Sequence, residues 1–416
     1  MSKSASTDLA LWLARLEALN PAKIDLGLNR IHAVLGNLDL SKADITLTVA
    51  GTNGKGSVTN FLDVTMRANG YRTGLYTSPH LSEFGERIRI DGQPAAAATL
   101  VDAFEAVEAA RGETSLSYFE YTTLAAFVAF ARSGCQAWVL EVGLGGRLDA
   151  VNALDSDAAL VTNIGFDHQA WLGDTLEMIG TEKAGVFRPG KPAIVGMRNP
   201  PESVTGRATQ LNSTVRVLGR DFDHVGDDKW QWQSAQRTIE GLPSMAGLHQ
   251  RDNVSAGLAM LQSINALPED DRVIAHCIQQ SNPPGRLERR MAHGFTWLLD
   301  VAHNVEAVTA LATILDQSCA PVTMIFGAMQ DKPVVHMLEV LDSHVDQWIA
   351  VAAPVERALP APALARTMAA TTGKPALIAG TPESGMRHAV KVAPEKSLIV
   401  VAGSFPVVGA VRARLY

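Results

Sequence analysis

From Val49 to Ser57 the chain reads Val-Ala-Gly-Thr-Asn-Gly-Lys-Gly-Ser, one lysine set among three glycines. Glycines let the main chain close around a polyphosphate with its N–H groups turned inward, and a lysine adds a mobile point charge. The chemistry that suits this turn is holding a nucleoside triphosphate by its phosphates. The spacing departs from the usual G-x-x-x-x-G-K-[ST], because Val49 stands where the first glycine belongs and Gly56 separates Lys55 from Ser57. A glycine-rich turn that binds nothing accounts poorly for the lysine. Glu141 closes the apolar run Ala137-Trp-Val-Leu-Glu, where a charge is costly unless paired or metal-bound. Beside a phosphate loop, a strand-end acid is the usual donor to Mg²⁺. Ser78 and His80, in Thr77-Ser-Pro-His-Leu81, and His168, in Gly165-Phe-Asp-His168, end other strands. For His168, metal or phosphate contact and a satisfied surface histidine are equally good readings. Lys183 reads as a solvated helix lysine.

These residues need a frame. Ile45–Ala50 alternates as a strand, and Val58, Phe61, Leu62, Thr65 and Met66 recur at helical spacing until Gly70. The helix start therefore faces the glycine turn. Tyr71–Tyr76 should be a second, parallel strand, since a helix connects it to the first. Helices are expected over 9–19, 31–38, 100–109 and 118–131, with 23–30 as a linking loop, and Ala158–Ile164 and Ala193–Val195 as further strands. Asp174 and Glu177 read as a capping box opening a helix toward Gly185. From Ser203 to Trp232 the pattern weakens into short β-like pieces, and a helix opens near Asn253. Gly143-Leu-Gly-Gly-Arg-Leu-Asp149 has the glycines of a dinucleotide fingerprint, but no helical pattern follows it.

Pro283-Pro-Gly285-Arg286 cannot continue a helix and marks a hinge. Beyond it five apolar runs, near residues 295–300, 322–326, 348–351, 376–379 and 398–402, alternate with helical patterns. The fold class is α/β: a P-loop-containing parallel-sheet N-terminal ATPase domain over 1–285 and a smaller Rossmann-like C-terminal domain over 286–416. A length of 416 residues fits two such domains. A net charge of −7 without a basic block argues against nucleic acid or an anionic membrane as partner. Three scattered cysteines fit core filler in a reducing compartment. No run approaches a membrane span or a secretion signal, so a cytoplasmic monomer is expected.

Val49–Ser57, Thr77–Leu81, Gly85-Glu-Arg-Ile, Glu141–Asp149, Asp167-His168, Glu182-Lys-Ala-Gly185, Pro284-Gly-Arg286, Asp300-Val-Ala-His-Asn304 and Phe326-Gly-Ala-Met329 together resemble the folylpolyglutamate synthases of the Mur ligase superfamily. The match runs in order along nearly the whole chain. The resemblance implies the Mur ligase fold and an ATP-dependent ligase that phosphorylates a carboxylate to an acyl phosphate, which the amine of L-glutamate then attacks. Lys23–Leu28 with Tyr118-Phe-Glu120 resembles the pterin pocket of the bifunctional members, implying dihydropteroate and reduced folates as partners. It further implies that Thr52, Asn53, Gly54, Lys55, Gly56, Ser57, Asn253, Arg286 and Asp300 hold ATP. Ser78, Glu141, His168 and Lys183, the last as N6-carboxylysine, would ligate Mg²⁺ at two sites. Lys55, Lys183 and His168 would be catalytic, and Ile24, Asp25, Leu26, Tyr118, Phe119, Glu120, Leu148 and Asp149 would form the pterin pocket. His303 and Ser404 are weaker candidates for glutamate or phosphate contact. Gln250, Val305 and Pro333 depart from the family pattern. A folylpolyglutamate synthase alone, a ligase of peptidoglycan precursors, or an ATPase that ligates nothing remain alternatives.

Overall fold

The apolar run Ile45–Ala50 is the middle of an eight-stranded sheet. The computed structural model describes residues 2–19, 26–227, 229–245 and 247–415, so Ile24 and Asp25 lie outside the described residues. The chain divides into two compact units, the first comprising most residues up to Ser281 and the second running on from Asn282, with Leu81–Glu83 and Gly247–His249 added to it.

In the first unit the strand order is Gln93–Pro94, Ile88–Ile90, Thr73–Tyr76, Ala137–Glu141, Ile45–Ala50, Ala158–Val161, Pro192–Val195 and Thr214–Val217. The last six are parallel and the first two form an antiparallel hairpin on one edge. Thr73–Tyr76 is parallel as expected, but Ala137–Glu141 inserts between it and Ile45–Ala50. Both faces are apolar, as a parallel sheet covered by helices requires. Leu47, Val49, Val139 and Leu160 join Phe61 and Leu258 on one side, whereas Ala50, Leu140 and Val161 join Phe104, Phe127 and Phe130 on the other. Trp12, Leu13 and Leu16 of the Ser2–Leu19 helix pack on the second cluster.

Two local expectations fail for one reason. Thr175, not Asp174, caps the Leu176–Ala184 helix, its side chain accepting from Met178 N. Glu177 is turned away, taking the amides of Glu202 at 3.0 Å and Ser203 at 2.8 Å. Those amides begin the helix Glu202–Gln210 in the stretch expected to be β-like. Its cap comes from another helix, so no local pattern announces it. Phe222–Val225, Trp230–Ser234 and Thr238–Leu242 form a separate antiparallel sheet that buries Trp230 and Trp232.

The second unit is a six-stranded sheet ordered Glu288–Ala292, Phe295–Leu299, Leu398–Ala402, Val322–Phe326, Gln347–Val351 and Ala376–Gly380. Five strands are parallel, and the sequence reading missed the antiparallel edge strand Glu288–Ala292. Buried Glu288 accepts from Gly285 N and pairs with Arg290 and Arg412, so a run that reads as polar is tied down by ion pairs. Of the cysteines, Cys135 and Cys277 are buried, but Cys319 is exposed and fills no core. No described helix is long and apolar enough to cross a membrane.

Candidate active site

Four loops leave the carboxyl ends of neighbouring parallel strands: residues 51–54, 77–80, 142–149 and 162–168. Chain order reverses across the sheet at Ile45–Ala50, and open parallel sheets bind ligands in the crevice at that point.

Gly54 holds φ at +84°, and a Cβ there would lie 2.8 Å from Asn253 Nδ2. Glycine is therefore required on both counts, and Asn253, from the Leu248–Ser263 helix, lies against the turn. The turn is pinned from the other side. Thr52 N donates to Asn163 O at 2.9 Å and Asn53 N to Asn163 Oδ1 at 2.8 Å, while Thr162 Oγ1 donates to Asn53 O at 2.6 Å. The sequence reading passed over Thr162 and Asn163. They matter because their strand borders Ile45–Ala50, which only the strand order reveals.

Lys55 opens the Lys55–Ala68 helix, and its Nζ donates to Gly51 O at 2.9 Å and Thr52 O at 3.1 Å. Lys183 Nζ donates to the same Gly51 oxygen at 3.0 Å and is 4% exposed. The solvated-lysine reading is thus corrected: Lys183 points into the rim, not out to water. The two ammonium groups lie no farther apart than these two bonds laid end to end. At that range like charges repel, and an anion between them is favoured.

Glu141 is 5% exposed, and its Oε2 accepts from Ser78 N at 3.2 Å. A Cβ on Gly56 would lie 3.7 and 3.8 Å from its two carboxylate oxygens, so Glu141 faces the first turn of the phosphate helix, beside buried Ser57. A hard oxygen donor so close to a phosphate cradle fits Mg²⁺. Among the described residues no group of three His, Cys, Asp or Glu side chains forms a metal cluster, so phosphate and water oxygens would complete the shell. His168 is exposed and sits at φ +52°, a left-handed conformation unusual for a side-chain-bearing residue, with its N–H on Asp167 Oδ1 at 2.9 Å. His80 accepts from Arg87 Nε at 2.8 Å. Burial and the Arg87 charge hold its imidazole down at about 4.

The pterin candidates have these surroundings. Phe119 lies against Gly143, where a Cβ would come within 2.8 Å of its ring, and 6.1 Å from the Tyr76 ring. Tyr118 lies under the Arg87 guanidinium, 5.7 Å from ring centre to Cζ, and Leu26 and Leu148 are half-buried. Glu120 has another occupation. Its carboxylate accepts from Ser117 N at 2.8 Å in a capping box and from Arg30 Nε and Nη2 at 3.2 and 3.1 Å. Arg30 escaped the sequence reading, because its partner is ninety residues away. Asp149, 2% exposed, accepts from Leu144 N at 2.8 Å and Val151 N at 2.9 Å. Burial pushes its carboxyl up to about 6, against these amides and the Lys55 charge. The glycines of this loop have a packing reason: a Cβ on Gly146 would lie 2.8 Å from both Glu182 O and Lys183 O. Arg147 clamps the same helix end through Glu182 Oε1 at 2.8 Å.

In the second unit Asp300 accepts from Leu287 N at 2.8 Å and Ala302 N at 2.9 Å. Burial raises its carboxyl, and the Arg286 charge opposes this. The Arg286 guanidinium lies 5.3 Å from the Phe405 ring centre, and the His303 ring 5.6 Å from it. Ser404 Oγ donates to Gly327 O at 2.8 Å and is 3% exposed, which gives it a structural partner.

The profile of the Mur ligase middle domain matches residues 49–254, and that of the Mur ligase glutamate ligase domain matches 285–405. A dihydrofolate synthase/folylpolyglutamate synthase of Escherichia coli K12 is 39% identical over 357 residues, 85% of this chain and 83% of that protein. This chain belongs to the dihydrofolate synthase/folylpolyglutamate synthase family. The family's Bacillus subtilis member is 30% identical over 76% of the chain and 79% of its own length. Solved structures agree along the whole length. Escherichia coli FolC in complex with DHPP and ADP superposes at TM-score 0.92 with 35% identity, covering 99% of this chain and 98% of that one. A bifunctional family enzyme with Mn, AMPPNP and L-glutamate bound superposes at 0.91 with 37% identity, covering 100% of both chains. The fold is therefore that of the Mur ligases.

Proposed function

We infer that this chain is an ATP-dependent ligase that joins L-glutamate to dihydropteroate, giving dihydrofolate, and to reduced folates, giving polyglutamates. The observation that carries the reading is the convergence of Lys55 and Lys183 on Gly51 O, with Glu141 facing the same glycine turn. The family's name and the bound ATP analogue and glutamate of its solved member support the substrates.

A carboxylate is a poor acyl donor until one oxygen becomes a phosphate leaving group. Transferring phosphate onto an anion needs fixed cations. In this reading the amides of residues 52–57 hold the triphosphate, and Lys55 leaves its two loop carbonyls to follow the transferred charge. A carboxylate oxygen of the substrate acid takes the terminal phosphoryl group and ADP leaves; the glutamate amine then attacks the acyl carbon, losing a proton as phosphate leaves and the amide forms. Ser78, Glu141 and His168 would hold Mg²⁺, which would supply charge neutralisation at the phosphates. Lys183, carboxylated on Nζ, would turn the repulsion beside Lys55 into attraction and provide oxygens for a second ion. Leu26, Tyr118, Phe119, Glu120, Leu148 and Asp149 would form the pterin side, to which the resemblance also assigns Ile24 and Asp25. Asn253, Arg286 and Asp300 are the further nucleotide contacts, and His303 and Ser404 the weaker contacts for glutamate or phosphate. The domain limits 1–285 and 286–416 go with this assignment, as does a cytoplasmic monomer.

The test uses purified protein with ATP, Mg²⁺ and glutamate, given dihydropteroate or tetrahydrofolate in parallel, with products weighed by mass spectrometry. Each product should gain one glutamyl unit, and phosphate should appear only when both acid and amine are present. Phosphate release from ATP alone at the same rate would overturn the reading.

A further inference from the structure

Asn253 stands at the phosphate turn, and its helix neighbours face elsewhere. Asp252 Oδ1 accepts from His224 Nε2 at 2.9 Å and from Arg198 Nη1 at 2.8 Å. Arg198 Nη2 continues to Asp223 Oδ1 at 2.6 Å, which also takes His224 N at 2.8 Å. Arg251 Nη1 donates to Asp227 Oδ1 at 2.7 Å and to the Gly226 carbonyl. Trp232 Nε1 donates to the helix carbonyl of Ser255 at 3.2 Å. Positions 251, 252 and 255 are thus each tied to the small antiparallel sheet, on both sides of position 253. The His224 side chain is 3% exposed and packs edge-on to Trp230 at 5.8 Å. A hydrogen bond shielded in this way is stronger and geometrically stricter than an exposed one.

We propose that this three-stranded sheet is a brace for the nucleotide site: His224 and Arg198, acting through Asp252, position the Asn253 carboxamide against Gly54 and so set the affinity for the nucleoside triphosphate. His224, Arg198 and Asp252 are positioning residues and touch no substrate. The proposal rests on the assignment of Asn253 as a nucleotide contact. The helix could be held in the sheet by apolar packing alone, since Val254, Ala256, Leu258 and Leu261 are buried. The polar groups of His224, Arg198, Gly226, Asp227 and Trp232 converging on its amino-terminal turns fix something packing does not, the rotation and height of one residue at the turn.

The experiment measures KM for ATP, glutamate and dihydropteroate, with kcat, in His224→Ala, His224→Gln, Asn253→Ala and the double variant His224→Ala/Asn253→Ala. His224→Ala should raise KM for ATP about five- to tenfold, the loss expected of one intramolecular hydrogen bond. The other two KM values and kcat should stay within about twofold, and His224→Gln, which keeps a donor, should recover most of the loss. The double variant should match Asn253→Ala alone, because the brace acts only through that residue. A raised KM for ATP in Asn253→Ala with none in His224→Ala overturns the proposal, as do multiplying effects in the double variant. An unchanged KM in Asn253→Ala instead removes the assignment beneath it. If His224→Ala does not fold, Asp252→Asn, a near-isosteric change at a half-buried site, is read by the same criteria.

Discussion

Each unit ends an apolar parallel strand in a buried acid, Glu141 in one and Asp300 in the other, and the two acids are used differently. Both Asp300 oxygens are taken by loop amides, Leu287 N and Ala302 N. Its carboxylate staples two loops of the second unit. Glu141 accepts from Ser78 N and turns toward Gly56 and the phosphate helix. The same pattern in sequence thus gives a carboxylate spanned by loop amides in one place and one turned toward the phosphate helix in the other. The difference lies in the neighbours: Glu141 faces Gly56 in the first turn of the Lys55–Ala68 helix, while Asp300 is spanned by the amides of Leu287 and Ala302.

The comparison breaks most sharply at the turn that Glu141 faces. Lys55→Ala should cut ligation by about a thousandfold or more, as for loss of a charge that stabilises a transferring phosphoryl group. Turnover within tenfold of the parent would show that the turn does not cradle phosphate. Glu141→Gln should lower kcat by about a hundredfold or more and raise the Mg²⁺ concentration for half-maximal rate. Asp300→Asn should leave that Mg²⁺ requirement alone. It turns an NH₂ toward a backbone N–H, so it should cost about 1–3 kcal/mol of stability in urea melts. A shifted Mg²⁺ curve in Asp300→Asn, or none in Glu141→Gln, would erase the distinction between the two acids.

Lys183→Ala should be nearly inactive and regain part of its rate with added short carboxylates. Parental activity without them would end the carboxylysine assignment. The smallest effect concerns His80, held at about 4 against an ordinary 6.5. Between those values the unfolded chain binds a proton that the folded one refuses, so stability should fall as pH drops from 6.5 toward 4. His80→Gln should flatten that part of the urea-midpoint curve. An unchanged slope would mean that Arg87 and burial do not hold the ring neutral.

What could be read in the sequence was what lies close together in it. The Gly51–Ser57 turn, the strand before it and the helix after it form one continuous stretch, and the parallel strands announce themselves as apolar runs. Lys183 misled because a lysine on a short helix is ordinarily wetted. Its inward course follows from Gly146 and Arg147 packing on that helix end. Arg30 with Glu120, Glu177 with the amides of 202 and 203, and His224 with Asp252 are all partnerships across long stretches of chain. No window of neighbours contains both members, so such groups look like solvated polar residues until the fold pairs them. The family resemblance named Lys183 as a site candidate, but not Arg30, Asn163 or His224.

Gly146 leaves no space between its loop and the carbonyls of Glu182 and Lys183. The segment assigned to the pterin ring and the lysine assigned to the chemistry are consequently one mechanical part. Enlarging this loop at 146 would shift the lysine's helix as well. A methyl group in place of that single hydrogen atom would push loop and helix apart together.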